Sequence, residues 1–183
     1  MDPVEALQQS NAIVTGLVAG LKPDQGSMPT PCDEWTVNDL LGHMCGGAHM
    51  VAGGMEGQAA ADEIPDFLAE GPVAAWRSAA THLSEAANPE ALAATHAMPF
   101  GETPGSAAVS IIVADHLTHA WDLAMATGQD LAISDELAEF AIAAWQPLLP
   151  EPGRSSDGFK AAIEIADDAP AIDRLAACTG RQP

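Results

Sequence analysis

The stretch from Ser106 to Gly128, SAAVSIIVADHLTHAWDLAMATG, sets ionisable side chains inside what otherwise reads as one long apolar helix. Stepping about 100° per residue, Ile111, Ile112, Asp115, His119, Asp122 and Ala126 fall on one stripe. Asp115 and His119 are one turn apart, so their side chains can converge on a single point. An isolated charge on a core-facing stripe is too costly to persist, so these groups must be paired, protonated or metal-bound. What they pair with constrains how the rest of the chain is arranged.

The segments around this one are also helical in pattern. Asp2-Pro3-Val4-Glu5 offers an N-cap, a first-turn proline and a capping-box glutamate for a helix over 3–21. Pro23, Gly26, Pro29 and Pro31 then interrupt it. In PCDEWTVNDLLGHMCGGAHMVAGGM, Thr36 and Asp39 form a T-x-x-D capping box, and Trp35 can staple onto Leu40, which opens a helix over 36–55. Val37, Leu40, Leu41, Met44, Ala48, Val51 and Met55 form its apolar face, His43 flanks that face, and His49 is expected on the solvent side. Gly46, Gly47, Gly53 and Gly54 mark close backbone approach or a frayed end.

Residues 57–70 read as an acidic loop, and a helix over 72–87 follows with Val73, Trp76, Ala80 and Leu83 as its buried row. A short strand is expected within 92–99, and FGETPGS turns the chain into the central helix, which Gly128 terminates. Ser134 caps a helix to Trp145, LLPEPGRSSDG reads as a linker, FKAAIEIA alternates like a short strand, and a brief helix ends at Gly180. The expectation is an all-α bundle with extra short helices and minor β strands, divided into a bundle over 1–150 and a short C-terminal extension over 151–183 that packs on it.

Charge and cysteine usage narrow the function classes. Six Lys+Arg against 26 Asp+Glu give a net charge of −20, with no basic patch, so nucleic acid and anionic membrane surfaces are excluded as partners. No basic segment followed by an apolar one opens the chain, and no apolar run would span a bilayer. Cys32, Cys45 and Cys178 are odd in number and form no C-x-x-C pair, so free thiols in a cytoplasmic protein are expected. A homodimer through an apolar helix face is left open.

His43, Asp115 and His119 supply two imidazoles and a carboxylate from two helices that can face each other. That is the ligand set of an open catalytic site for a divalent metal. The bland alternatives are a half-buried His43 that hydrogen-bonds across the core and an Asp115–His119 pair that is merely intrahelical. His116, about 100° further round the helix, is the alternative ligand if the register differs, and Cys45 is a weaker one.

The motifs PCDEWTVNDLLGHM, HLTHAWDLAMATG and DDAPAIDRLAACTGRQP, in that order, resemble the DinB-like superfamily, and in particular the N-terminal domain of mycothiol-dependent maleylpyruvate isomerase. The resemblance implies a DinB-like four-helix bundle that holds a divalent metal, zinc foremost and nickel or manganese as alternatives. His43 and His119 would be ligands, and Asp115 would stand where the isomerase has glutamate. Asp122, in H-x-x-D-L, would orient a ligand from behind. Mycothiol as cofactor and a small-molecule thiol or electrophilic substrate are implied with it. The functional expectation is a mycothiol-dependent isomerase or thiol transferase. The alternatives are a non-catalytic binding or scaffold bundle with a degenerate metal site and a metal-dependent hydrolase.

Overall fold

The computed structural model describes residues 1–33, 35–58, 65–149 and 160–183. Its elements run α1 (Pro3–Ala19), α2 (Val37–Met55), α3 (Pro72–Ala86), α4 (Pro89–Ala93), β1 (Thr95–Met98), β2 (Gly101–Pro104), α5 (Gly105–Thr127), α6 (Asp135–Trp145) and α7 (Ala171–Cys178). α1 and α2 each pack against both α3 and α5, so these four long helices close a bundle. α6 packs on α5, and α7 packs on α6 and α5. No helix among the described residues is long and apolar enough to cross a membrane.

The caps explain where the helices begin. The Asp2 carboxylate accepts from the Val4 and Glu5 amides at 2.9 and 3.4 Å. At α2 the Thr36 amide donates to Asp39 Oδ2 at 2.9 Å while the Asp39 amide donates to Thr36 Oγ1 at 3.3 Å, a reciprocal capping box. This box fixes where α2 starts, and therefore how far along the bundle His43 sits. Gly128, with φ of 67°, ends α5 in the left-handed region.

α5 is buried nearly all round, from Ala108 to Ala124, because α1, α2, α4, α6 and α7 surround it. A helix with apolar residues on every face belongs at the centre of a core. Close approach of α2 to α5 depends on Gly47, where an added Cβ would stand 3.0 Å from Ile112 Cδ1. Gly46, Gly47, Gly53 and Gly54 thus serve packing, and the helix stays regular to Met55.

Several sequence expectations are corrected. The buried row of α3 is Ala75, Trp76, Ala79, Leu83 and Ala86, while Val73 is 45% exposed. The expected strand within 92–99 begins at Thr95 and pairs antiparallel with Gly101–Pro104, so part of FGETPGS is strand; the residues before it form α4, capped by Asn88. Of the expected strand FKAAIEIA, Phe159 lies outside the described residues, and 160–166 run without regular structure. That segment is held by the Ile163 amide donating to the Ala177 carbonyl at 3.0 Å, so its alternation reflects a chain laid along α7 and not a paired strand. Parts of the 57–70 loop and of the linker before residue 160 also lie outside the described residues.

Candidate metal centre

α2 and α5 bring His43, Asp115 and His119 together. His43 Nε2 lies 3.2 Å from Asp115 Oδ1, and His119 Nε2 lies 3.5 Å from the same oxygen. One donor atom from each residue falls within 4.8 Å of the others. Two donors bound at about 2.0–2.2 Å to one tetrahedral ion stand about 3.3–3.6 Å apart, so the two Asp115–histidine spacings suit a divalent cation. Asp115 Oδ2 is buried and has no hydrogen-bond partner, which leaves a carboxylate lone pair for a cation to satisfy. Two nitrogens and an oxygen match the donor preferences of zinc and its neighbours.

Each ligand candidate has a distinct environment. The His43 side chain is 40% exposed and that of Asp115 17%, so the cluster opens to solvent on the His43 side. His119 is 8% exposed and held from behind: its Nδ1 donates to Asp122 Oδ2 at 2.9 Å, which turns Nε2 toward Asp115. Asp122 is fully buried, and Arg181 grips it with two donors, Nε to Oδ1 at 3.1 Å and Nη2 to Oδ2 at 2.8 Å. Trp35 covers the cluster, its ring centroid 4.8 Å from that of His43 and 5.8 Å from that of His119.

The electrostatics follow from this arrangement. Burial opposes the charged form of His119, but Asp115 and Asp122 outweigh it and raise its pKa to about 9. Burial likewise opposes ionisation of Asp115, yet the two histidines hold it well below the usual carboxylate range. Asp122 is lowered against its own burial by His119 and Arg181. In the absence of a cation the cluster stabilises itself as an ion-paired network; a cation would take the place of the proton on His119 Nε2.

His116, the alternative ligand, is not part of the cluster. It is fully buried, with its ring edge-on to Trp76, centroids 4.9 Å apart, and against the Met44 backbone. Burial drives its pKa down to about 4, so it is a neutral core residue. Cys45 points into the core, where burial pushes its thiol to about 11. His49 is half-buried and not free in solvent: its Nδ1 is 2.8 Å from His82 Nδ1 and its ring stacks on Phe67 at 15° between planes. The cause is that α3 and Phe67 cover the side of α2 that helix periodicity alone leaves open.

Two contributors lie outside the expected ligand set: the sequence points to Trp35 only as a helix staple, and no local pattern points to Arg181. The available signal for Arg181 was arithmetic: a chain with six Lys+Arg places one of them near a buried aspartate that needs a counter-charge.

Comparison with known proteins agrees with this architecture. The profile of the family described as mycothiol maleylpyruvate isomerase N-terminal domain matches residues 7–124. The chain belongs to that family. An uncharacterized protein of Mycobacterium tuberculosis, found in two strains, is 39% identical over 184 residues, covering 99% of this chain and 98% of the relative. Among solved structures, the mycothiol-dependent maleylpyruvate isomerase superposes with a TM-score of 0.63 at 13% identity, covering 98% of this chain and 88% of that one. A histidine-to-alanine mutant of the isomerase gives 0.62 at 13% identity, covering 88% and 72%. At that identity the likeness concerns the fold, a mostly helical bundle with, among the described residues, a small two-stranded sheet.

Proposed function

We propose that this protein is a divalent-metal-binding, mycothiol-dependent isomerase or thiol transferase, with zinc held by His43, Asp115 and His119. The observation that carries the reading is the convergence of three donor atoms of the right chemistry on one point, beside a buried carboxylate oxygen that has no partner. Family membership supports the choice of thiol chemistry. When bound, the ion would supply Lewis acidity that holds a thiol sulfur as thiolate near neutral pH.

The protein's own residues do the rest. Asp122 and Arg181 fix the His119 tautomer and ring orientation, so that Nε2 faces the cluster. Trp35 narrows the approach and presents an apolar wall to whatever enters beside His43. The exposed His43 edge marks the route by which a small thiol or electrophilic substrate arrives.

The test is metal analysis of protein purified without chelator or affinity tag, followed by titration with N-acetylcysteine as a small thiol. A tight zinc equivalent, its loss in His119→Ala with helical signal retained, and thiol binding only in the metal-loaded protein support the proposal. A second reading, a non-catalytic scaffold bundle, is favoured by Asp115 Oδ1 already contacting both histidines. Equal zinc affinity in parent and His119→Ala, or thiol binding indifferent to metal, decides for that reading.

A further inference from the structure

The same helix that carries His43 carries a second imidazole cluster. His49 of α2 and His82 of α3 face each other Nδ1 to Nδ1 at 2.8 Å. On the far side of the His82 ring, Nε2 donates to Glu56 Oε2 at 3.2 Å, and Gln58 Nε2 donates to that same oxygen at 2.7 Å. Phe67 stacks on His49, with centroids 5.4 Å apart. His82 borders an open depression lined by Glu70, Arg77, Ser78 and Glu85, and its side chain is 29% exposed.

We propose that His49 and His82 form a second binding site for a late first-row divalent cation, held between their Nδ1 atoms, with Glu56 behind His82. The tautomers lead to this directly. Because His82 Nε2–H is committed to the Glu56 carboxylate, its Nδ1 is a bare lone pair aimed at His49. A carboxylate on the opposite nitrogen is the arrangement that orients and strengthens a metal-ligating histidine. His49 now donates its Nδ1 proton to that lone pair; on cation binding the proton shifts to Nε2 and both rings stay neutral. Separation of the nitrogens by about half an ångström brings them to tetrahedral donor spacing. Water completes the coordination from the depression, and the net charge of −20 favours cation entry. With two protein ligands this site is weaker than a three-ligand centre.

The inference does not depend on the proposed function. The experiment is a calorimetric titration of the full chain with zinc chloride, in the parent and in a His43→Ala/His119→Ala variant that silences the first centre. The expected result is one equivalent of weaker binding in that double variant, removed by adding His82→Gln or His49→Asn and weakened about tenfold by Glu56→Gln. Absence of zinc uptake in the folded double variant overturns the proposal, as does a weak equivalent that survives His82→Gln. Nitrogen-detected histidine NMR on the parent is the check that needs no substitution. Zinc must perturb the Nδ1 resonances of His49 and His82, and unperturbed resonances also overturn the proposal.

Discussion

The two histidine clusters on α2 are six residues apart in sequence, about 240° round the helix, and they are built differently. His43 meets α5, and its partners converge: Asp115 Oδ1 lies within 3.2 Å of one imidazole and 3.5 Å of the other. His49 meets α3, and its partners form a chain in which His82 uses one nitrogen for His49 and the opposite one for Glu56. The first cluster is backed by a fully buried Asp122 and by Arg181, the second by a Glu56 side chain that is 40% exposed. Convergence with buried backing supports the proposed three-ligand site. A chain with solvent-exposed backing supports at most the proposed two-ligand one, whose electrostatic support is screened by water and salt.

The largest effect should come from removing the buried backing. Asp122→Ala strands Arg181 and frees His119 to rotate. Loss of one partner from a buried ion pair costs about 3–5 kcal/mol of stability, and loss of a ligand-orienting group costs about 10–100-fold in metal affinity. Glu56→Gln, the corresponding change in the second cluster, should leave thermal stability within about 0.5 kcal/mol, because the carboxylate is exposed. Paired denaturation and zinc titrations of the two variants check this. Equal stability losses would break the comparison.

A pH titration in zinc-free protein separates the clusters by sign. Burial, outweighed by Asp115 and Asp122, leaves His119 titrating at about 9. Its proton therefore contributes stability that is fully present below the ordinary 6.5 and is lost as pH rises through about 9. Burial and His82 lower the pKa of His49, so its contribution is present above the ordinary 6.5 and is lost as pH falls through the depressed value. Histidine NMR should show His119 titrating above neutrality and His49 below 6.5. Two ordinary midpoints would remove the electrostatic distinction.

The first cluster was legible in the sequence and the second was not, and the reason is physical. Asp115, His119 and Asp122 lie on one helix at helical spacing, so periodicity alone brings them to one face, and their burial follows from the apolar residues around them. The capping box at Thr36 set where α2 starts, and therefore which residue of α2 could reach them. His82, by contrast, reaches His49 through the packing of α3 on α2, and helix periodicity says nothing of a neighbour's rotation. The same gap shifts part of the buried row of α3: Trp76 and Leu83 lie inward as periodicity expects, while Ala75 and Ala79 take the places expected for Val73 and Ala80. Arg181 acts on Asp122 from 59 residues away, a tertiary pairing that no local pattern encodes. The small hairpin was half-read because β2 begins at Gly101, whose φ of 114° suits glycine and not a sustained strand signal.

The smallest predicted effect tests the reach of the first cluster. Asp115 stands where the resemblance to the isomerase puts glutamate, and Asp115→Glu adds one methylene between α5 and the donor oxygens. Oδ1 already lies at 3.2 and 3.5 Å from the two imidazole nitrogens, so no extra length is needed for contact. Oδ2 is enclosed, but the side chain as a whole is 17% exposed, so a longer chain can displace outward on the His43 side while keeping one oxygen in place. The longer side chain also loses more rotamer freedom on ordering, by a few tenths of a kcal/mol up to about 1 kcal/mol. Reach and entropy oppose each other, and zinc affinity should stay within about tenfold of the parent, with stability nearly unchanged. The second cluster should not respond at all, because Asp115 touches neither His49 nor His82. Competitive zinc titration against a chromophoric chelator resolves the expected change. A loss beyond a hundredfold would mean that the α2–α5 spacing is matched to aspartate, and that the methylene difference is a requirement of this chain's packing.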